Sequence, residues 1–315
     1  MGFIANLKSY LHFQKGIVES VKTITECQTI NVITDLHYKL KYDELTEKAL
    51  NCTDVAVVDE LYGSSPLIVS LTTHGKRISD VHVAIESIMQ GSLKPNKIIL
   101  WISEEYKKQS LPITLQRQTL RGLEVEYCHD VRSYTKLVPA LQKYPNASIV
   151  TIDDDIIYPY DMLESLVNSH LENPDCICAN FVREMPMDLM DNYVPLLDWP
   201  VWCNVDRISG RLFYEGFGGV LYPPCSFNPE VLNEDVFLNI CKFADDVWFN
   251  AMSLMNDTKV KYAWKHYGKI PLQGNPNVQV VALRNVNCNG EVLNDKQIND
   301  VYTKYGLFEK LKEME

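Results

Sequence analysis

The chain has 315 residues, of which 46% are hydrophobic and 23% charged. This is the balance of an ordinary soluble globular protein, long enough for one large α/β domain with extensions and too apolar for general disorder. Thirty Lys and Arg stand against 41 Asp and Glu, a formal net charge of −11, and a field of that sign argues against nucleic acid as a partner.

The nine cysteines are an odd number without metal-ligand blocks, and they read as reduced thiols of a cytoplasmic protein. Residues 1–62 read as a mostly helical extension. Within it, Ile4, Leu7, Leu11, Ile17, Val21 and Ile24 fall at helical spacing among Lys8, Lys15 and Lys22, short of the roughly 20 consecutive apolar residues of a membrane span. Such an extension can dock on the core, on a second copy of the chain as a homo-oligomer, or peripherally on the inner face of a membrane.

After Gly63-Ser64-Ser65-Pro66 the pattern changes. Leu67-Ile-Val-Ser-Leu71 is a continuous apolar run of the kind buried in a parallel sheet. Ile78, Val81, Ile85 and Ile88 share a helical face that ends at Gln90-Gly91. Lys97–Ile102 is a second strand, Pro112 opens a short helix, and Leu123–Tyr127 is a third strand. A helix with Leu137, Ala140 and Leu141 inward precedes a fourth strand, Ser148–Ile152. Pro159 suits the first turn of a helix over Tyr160–His170. This alternation predicts a parallel sheet with helices on both sides. From about Cys176 it stops. Residues 183–230 read as irregular loops lining a cleft, followed by a helical stretch around Asp235–Met255 and a short mixed tail.

The chemistry-bearing residues follow the strands. Asp153-Asp154-Asp155 ends the fourth strand, and three carboxylates crowded there repel one another unless a cation or solvent screens them. The triplet therefore reads as a divalent-metal site at the sheet edge where α/β proteins bind ligands. A solvated acidic turn or a Ca2+ loop is the alternative, although the glycine and late glutamate of an EF-hand are absent. Thr72, Thr73 and Arg77 follow the first strand, where hydroxyls can meet a base and Arg77 a phosphate, or a Thr can simply cap the next helix. Asp130, Arg132 and Lys136 lie in the connection after the third strand and set two cations beside an expected anion. Asp245-Asp246 can supply a base or can cap the helix that follows. Gly216, Gly218 and Gly219 would allow close backbone approach to a ligand, and Trp199, Trp202 or Trp248 could stack on a ligand ring or, equally, pack in the core. His266 is a lone candidate metal ligand.

Pro66–Arg77, Ile149–Asp155 and Ala244–Trp248, taken in order and spacing, resemble nucleotide-sugar glycosyltransferases of the GT-A fold. The likeness is to family-2-type enzymes of capsule, exopolysaccharide and lipopolysaccharide synthesis and covers about residues 65–270. It implies a Rossmann-like, mostly parallel sheet flanked by helices over residues 63–275. Residues 63–181 would form a nucleotide-binding half, 182–275 an acceptor-binding half and 276–315 a C-terminal tail. It further implies Mn2+ or Mg2+ at the Asp-x-Asp motif, with Asp155 a direct ligand, Asp153 at ribose or a metal-bound water, and His266 a late ligand. Thr72, Thr73, Asp130, Arg132 and Asp154 would then line the nucleotide sugar, with Asp154 alternatively turned to solvent, and Arg77 and Lys136 would meet the diphosphate. Asp246 is implied as the base and Asp245 as its orienting neighbour, with Gly218, Gly219 and Trp248 on the acceptor side. The implied reaction moves a sugar, with inversion, from a UDP-linked donor to a carbohydrate or lipid-linked acceptor. A nucleotidyltransferase, whose Gly-rich basic loop Thr72–Arg77 matches poorly, and a non-catalytic carbohydrate-binding protein are the rival expectations.

Overall fold

The computed structural model describes residues 34–186, 194–202, 207–263, 273–274 and 293–314. The chain divides into two units, Met1–Glu44 and Leu45–Glu315. Residues 34–51 are helical (α1), and in the first unit Lys41 Nζ lies 2.7 Å from Glu44.

The second unit is built on an eight-stranded sheet. Its first strands are β1 (Leu67–Thr72), β2 (Lys97–Ser103), β3 (Leu123–Cys128) and β4 (Ser148–Thr151). They match the apolar runs of the sequence and lie parallel in the order β3-β2-β1-β4. Strands β1, β2 and β4 are coated on both faces, which is why their runs are continuous, whereas β3, at the edge, alternates. Val69, Leu71, Ile98 and Leu100 face one core with α2 (His82–Met89), α3 (Ile113–Thr119) and α5 (Met162–Glu172). Ile68, Ile99 and Trp101 face the other with α4 (Val138–Lys143).

Beyond β4 the chain departs from the expected loops. The short strands β5 (Ile156–Ile157), β6 (Ile177–Ala179), β7 (Val182–Glu184), β8 (Val201–Trp202), β9 (Ile208–Ser209), β10 (Leu212–Tyr214), β11 (Val220–Tyr222), β12 (Val260–Tyr262) and β13 (Gln273–Gly274) complete the set. Strand β11 inserts antiparallel between β4 and β6, and β12 pairs parallel to β6, with β9 antiparallel at the edge. The sheet is therefore mostly parallel, as expected, with β11 and β9 reversed. Strands β10, β7 and β8 make a separate antiparallel sheet, and β13 pairs with β5.

Two helix boundaries also differ from expectation. The helix after Pro159 starts only at Met162, and Pro159 instead accepts the Met162 N–H from the preceding turn. The stretch Asp235–Met255 is two helices, α6 (Glu234–Ile240) and α7 (Asp245–Met255). No Gly or Pro marks the break, because tertiary bonds make it: Tyr134 Oη donates to the Cys241 carbonyl, and the Phe243 N–H donates to Gln297 Oε1 at 2.8 Å.

Gln297 lies on α8 (Leu293–Lys304), which with α9 (Leu307–Lys312) packs into the same core as α6 and α7 through Ile298, Val301, Leu307 and Leu311. On the opposite face a buried ion pair ties helix to segment. Arg121 Nη1 lies 2.8 and 2.9 Å from the two Glu86 oxygens, and its Nε donates to the Asp54 carbonyl. Gln118 and Gln90 donate to the same carboxylate, so both oxygens of the buried Glu86 are hydrogen-bonded. Among the described residues, no helix is long and apolar enough to cross a membrane, and the six cysteines there are free thiols.

Candidate functional site

The parallel strands β1, β3 and β4 each release a connection carrying charge at their C-terminal ends, where an open α/β sheet places its ligand crevice. Reversed β11 adds a fourth segment. Because Val220 opposes Thr151, the glycine turn that precedes β11 lies at the end of β4, beside the acid triplet.

Two cations pair with four carboxylates at this edge, and a fifth, Asp246, stands beside them. Arg77 Nη1 lies 2.7 Å from Asp154 Oδ1 and Nη2 lies 3.4 Å from Asp155 Oδ2, while Thr73 Oγ1 donates to Asp154 Oδ2 at 2.6 Å. Asp154 thus faces neither solvent nor an open cleft, since its side chain is 7% exposed and both its oxygens are engaged. On the other side, Lys136 Nζ donates to Asp153 Oδ1 at 2.9 Å and lies 3.0 Å from Asp245 Oδ2. The second contact has ion-pair distance without hydrogen-bond geometry, so this buried Asp245 oxygen lacks a hydrogen-bond donor. One ammonium therefore bridges motifs that stand about ninety residues apart in the sequence.

The electrostatics follow from that crowding. Burial alone would lower the Lys136 ammonium, but Asp153, Asp245 and Asp246 outweigh it and hold its pKa well above the lysine range. Burial, followed by the charges of Asp153 and Asp154, pushes Asp155 up to about 7 against the opposing pull of Arg77. Burial and the neighbouring Asp245 raise Asp246 to about 8, although Lys136 and the Gly216 N–H draw it back. Two carboxyls poised near neutrality at one sheet edge are a feature of working sites more than of structural ion pairs.

Asp245 and Asp246 are the first two residues of α7, and neither caps it; the N-cap is Ala244. Instead, Asp246 Oδ1 accepts the Gly216 N–H at 3.1 Å. Asn250, one turn along, accepts the Tyr214 N–H and donates to the carbonyls of Tyr214 and Asp246, pinning the helix start to the glycine turn. That turn has no room for side chains. A Cβ on Gly216 would stand 2.8 Å from Asp246 Oδ1 and 2.9 Å from Lys136 Nζ. Gly216→Ala is accordingly expected to push the two apart and cost about 1–3 kcal/mol, read as a lowered urea midpoint at unchanged slope.

The remaining expected residues scatter. Gly218 and Gly219 are small because Phe181 Cβ and Met162 Sδ stand 2.8 and 2.9 Å from where their Cβ atoms would be, and Gly219 has φ 87°. Trp248 is wholly buried between Phe237 and Tyr305, with Nε1 donating to the Val231 carbonyl, and leaves no ring face open. Trp199 is likewise buried against Phe213. Thr72 donates to the Trp101 carbonyl, and Asp130 Oδ1 accepts the Arg132 N–H within its own turn. Arg132 stands over the Phe243 ring instead of among the carboxylates. His266 lies outside the described residues, as does the side chain of Trp202.

Two contributors carry no sequence signal of their own. Tyr158 accepts the Asp153 N–H at 2.8 Å and donates to the Phe217 carbonyl at 3.1 Å, joining the triplet to the glycine turn. Ser70, buried in β1, donates to the Lys136 carbonyl at 2.6 Å and accepts from Trp101 Nε1. A tyrosine and a serine at apolar-run positions are the only hints available, and either reads equally as core packing.

The donor set suits a hard divalent cation. If all are ionised, five carboxylates exceed Arg77 and Lys136 by three charges, and the donors are oxygens. Among the described residues no three His, Cys, Asp or Glu side chains converge as a complete ligand cluster. One or two carboxylates completed by phosphate and water are, however, the usual protein share of a Mg2+-type site.

No family model matches the chain, and no curated protein matches it. Several solved structures are similar at low level. S. aureus TarS residues 1–349 in complex with UDP is 12% identical over 78% of this chain and 73% of that one, with a TM-score of 0.41. The mannosyltransferase PcManGT from Pyrobaculum calidifontis, in complex with GDP-Man and Mn2+, is 13% identical over 74% and 65%, at 0.38. The inositol-1-phosphate CTP transferase from T. maritima is 10% identical over 76% and 97%, at 0.39. These likenesses are too distant to define an activity.

Proposed function

We propose that the protein is a GT-A-type glycosyltransferase that moves a sugar from a nucleotide diphosphate donor, UDP-linked, to a carbohydrate or lipid-linked acceptor of cell-surface polysaccharide synthesis. The observation that carries this reading is the Lys136 ammonium lying 2.9 Å from Asp153 and 3.0 Å from Asp245. It sets an acid triplet suited to a metal-bound diphosphate beside an acid pair suited to proton removal.

In this reading Asp153 and Asp155 would hold Mn2+ or Mg2+, which supplies neutralisation of the departing diphosphate when bound. Arg77 and Lys136 exchange part of their pairing with carboxylates for phosphate oxygens. Asp246 takes the proton of the acceptor hydroxyl as that oxygen bonds to the anomeric carbon and the carbon–phosphate-oxygen bond breaks. A single displacement of this kind inverts the anomeric centre.

Incubation with UDP-sugars and Mn2+ is expected to release UDP, and Asp155→Ala to slow release at least about 100-fold. Full turnover by that variant would sink the assignment. A nucleotidyltransferase would instead release pyrophosphate from a nucleoside triphosphate. The loop that would have to cradle the triphosphate has its Gly75 N–H committed to Tyr106 Oη at 2.9 Å, which disfavours that chemistry.

A further inference from the structure

Two cations beside the site take no part in holding its carboxylates. Arg132 opens the 3-10 turn Arg132–Lys136, and Lys242 stands three residues before Asp245. Both lie over the same ring, with Arg132 Cζ 5.3 Å and Lys242 Nζ 5.8 Å from the centroid of Phe243. Both are exposed, and Phe243 is half-buried. Among the described residues neither makes an ion pair, in a chain of net charge −11. The nearby acids are committed elsewhere: Asp130 Oδ1 accepts the Arg132 backbone N–H, and Glu234 accepts from or pairs with His129 at 3.0 Å.

The backbone fixes this group in place. Arg132 has φ 64°, a left-handed conformation that costs a residue carrying a Cβ, and the Asp130 bond to its N–H holds it there. The Phe243 N–H is tied to Gln297 Oε1 at 2.8 Å. A guanidinium stacked on a ring keeps its N–H edge for paired oxygens, and an ammonium beside it adds a point charge. Together they suit a compact dianion more than a neutral hydroxyl. Lys242 and Phe243 belong to the loop that leads into Asp245-Asp246, so whatever binds them lies near the proposed base.

We propose that Arg132 and Lys242, gathered at the Phe243 ring, form an anion subsite for a phosphate group carried by the acceptor. The word acceptor here rests on the glycosyltransferase reading; the subsite itself does not. The phosphate could belong to a soluble phosphosaccharide or to a lipid-linked one.

The test titrates the full chain with glucose 6-phosphate, glucose, methyl glucuronide and UDP, using ligand-observed NMR. Sedimentation with phosphatidylcholine vesicles, with and without phosphatidylglycerol, runs beside it. Glucose 6-phosphate is expected to bind at least about tenfold tighter than glucose or the glucuronide, and Arg132→Asn with Lys242→Gln to remove that advantage. Asn tolerates the left-handed backbone, so the double variant should fold. Lys242→Gln alone should leave UDP affinity within about twofold. Additional binding to the phosphatidylglycerol vesicles, lost in the double variant, would support a lipid-linked source. Equal binding of glucose and its phosphate overturns the subsite, as does a double variant that still prefers the phosphate. Vesicle binding without glucose 6-phosphate binding overturns it in favour of a membrane-docking surface. If Arg132→Asn weakens UDP and not glucose 6-phosphate, Arg132 is a donor residue and the proposal falls. Failure of UDP to bind while phosphate binding persists overturns the donor reading and leaves the subsite standing.

Discussion

Asp246→Asn is expected to reduce sugar transfer by about three orders of magnitude, within the range that a positioned base contributes. The amide keeps the shape and can still face the Gly216 N–H with its oxygen, but it cannot take a proton. The pH dependence gives an independent reading. Because burial and Asp245 raise the Asp246 carboxyl to about 8, its basic form is lost as pH falls below that value, and kcat/KM in the wild-type chain should climb from pH 6 towards 8. The variant's residual rate should lack that limb.

The same shift makes a stability forecast of opposite sign. A carboxyl whose folded pKa lies above its unfolded value binds more protons folded than unfolded between those two values, so stability falls as pH rises through that window. Asp155, at about 7, behaves alike. Above pH 7 in metal-free buffer, both Asp155→Asn and Asp246→Asn are expected to melt higher than the wild type, by about 2–4 °C for each kcal/mol of repulsion removed. Calorimetric scans at pH 5 and pH 8 measure it: the gain should be present at the higher pH and largely gone at the lower.

Lys136→Met carries the largest expected cost in stability, about 3–5 kcal/mol, because it deletes the one cation that Asp153 and Asp245 share and leaves buried charge uncompensated. Urea unfolding at pH 7 reads that loss directly. The damage should shrink in acid, where the stranded carboxyls protonate. Lys136 also draws the Asp246 carboxyl downward, so whatever activity survives should have its rising limb displaced to higher pH. Arginine is not expected to rescue the change, since the Lys136 ammonium already stands 2.9 Å from where a Gly216 Cβ would be and a guanidinium needs more room.

What the sequence discloses is set by how local its cause is. The runs Leu67–Leu71, Lys97–Ile102 and Ser148–Ile152 are apolar on both faces and announce β1, β2 and β4 without reference to anything else. Arg77, Lys136 and the triplet are found because βα connections of a parallel sheet end on one edge. Strand β11 escapes because three residues after a glycine turn carry no period, and its antiparallel place between β4 and β6 is decided by pairing. The break between α6 and α7 escapes for a similar reason, being made by Tyr134 and Gln297 from far along the chain. The engagement of Arg77 with Asp154 and the buried state of Trp248 are tertiary facts with no local trace.

The bonds from the C-terminal helices have a consequence for synthesis. Gln297 Oε1 takes the Phe243 N–H across 54 residues, Asp295 Oδ1 takes the Leu196 N–H across 99, and Arg211 donates to the Leu311 carbonyl across 100. The strands β1 to β4, by contrast, can pair with one another by residue 151. A nascent chain can therefore fold its first four strands, with Arg77 and the acid triplet in hand, while the loop leading to Asp246 is still without its anchor. Gly216 and Asn250 hold the start of α7 once residue 250 has been made, whereas the loop at Phe243 gains its anchor only when α8 has emerged.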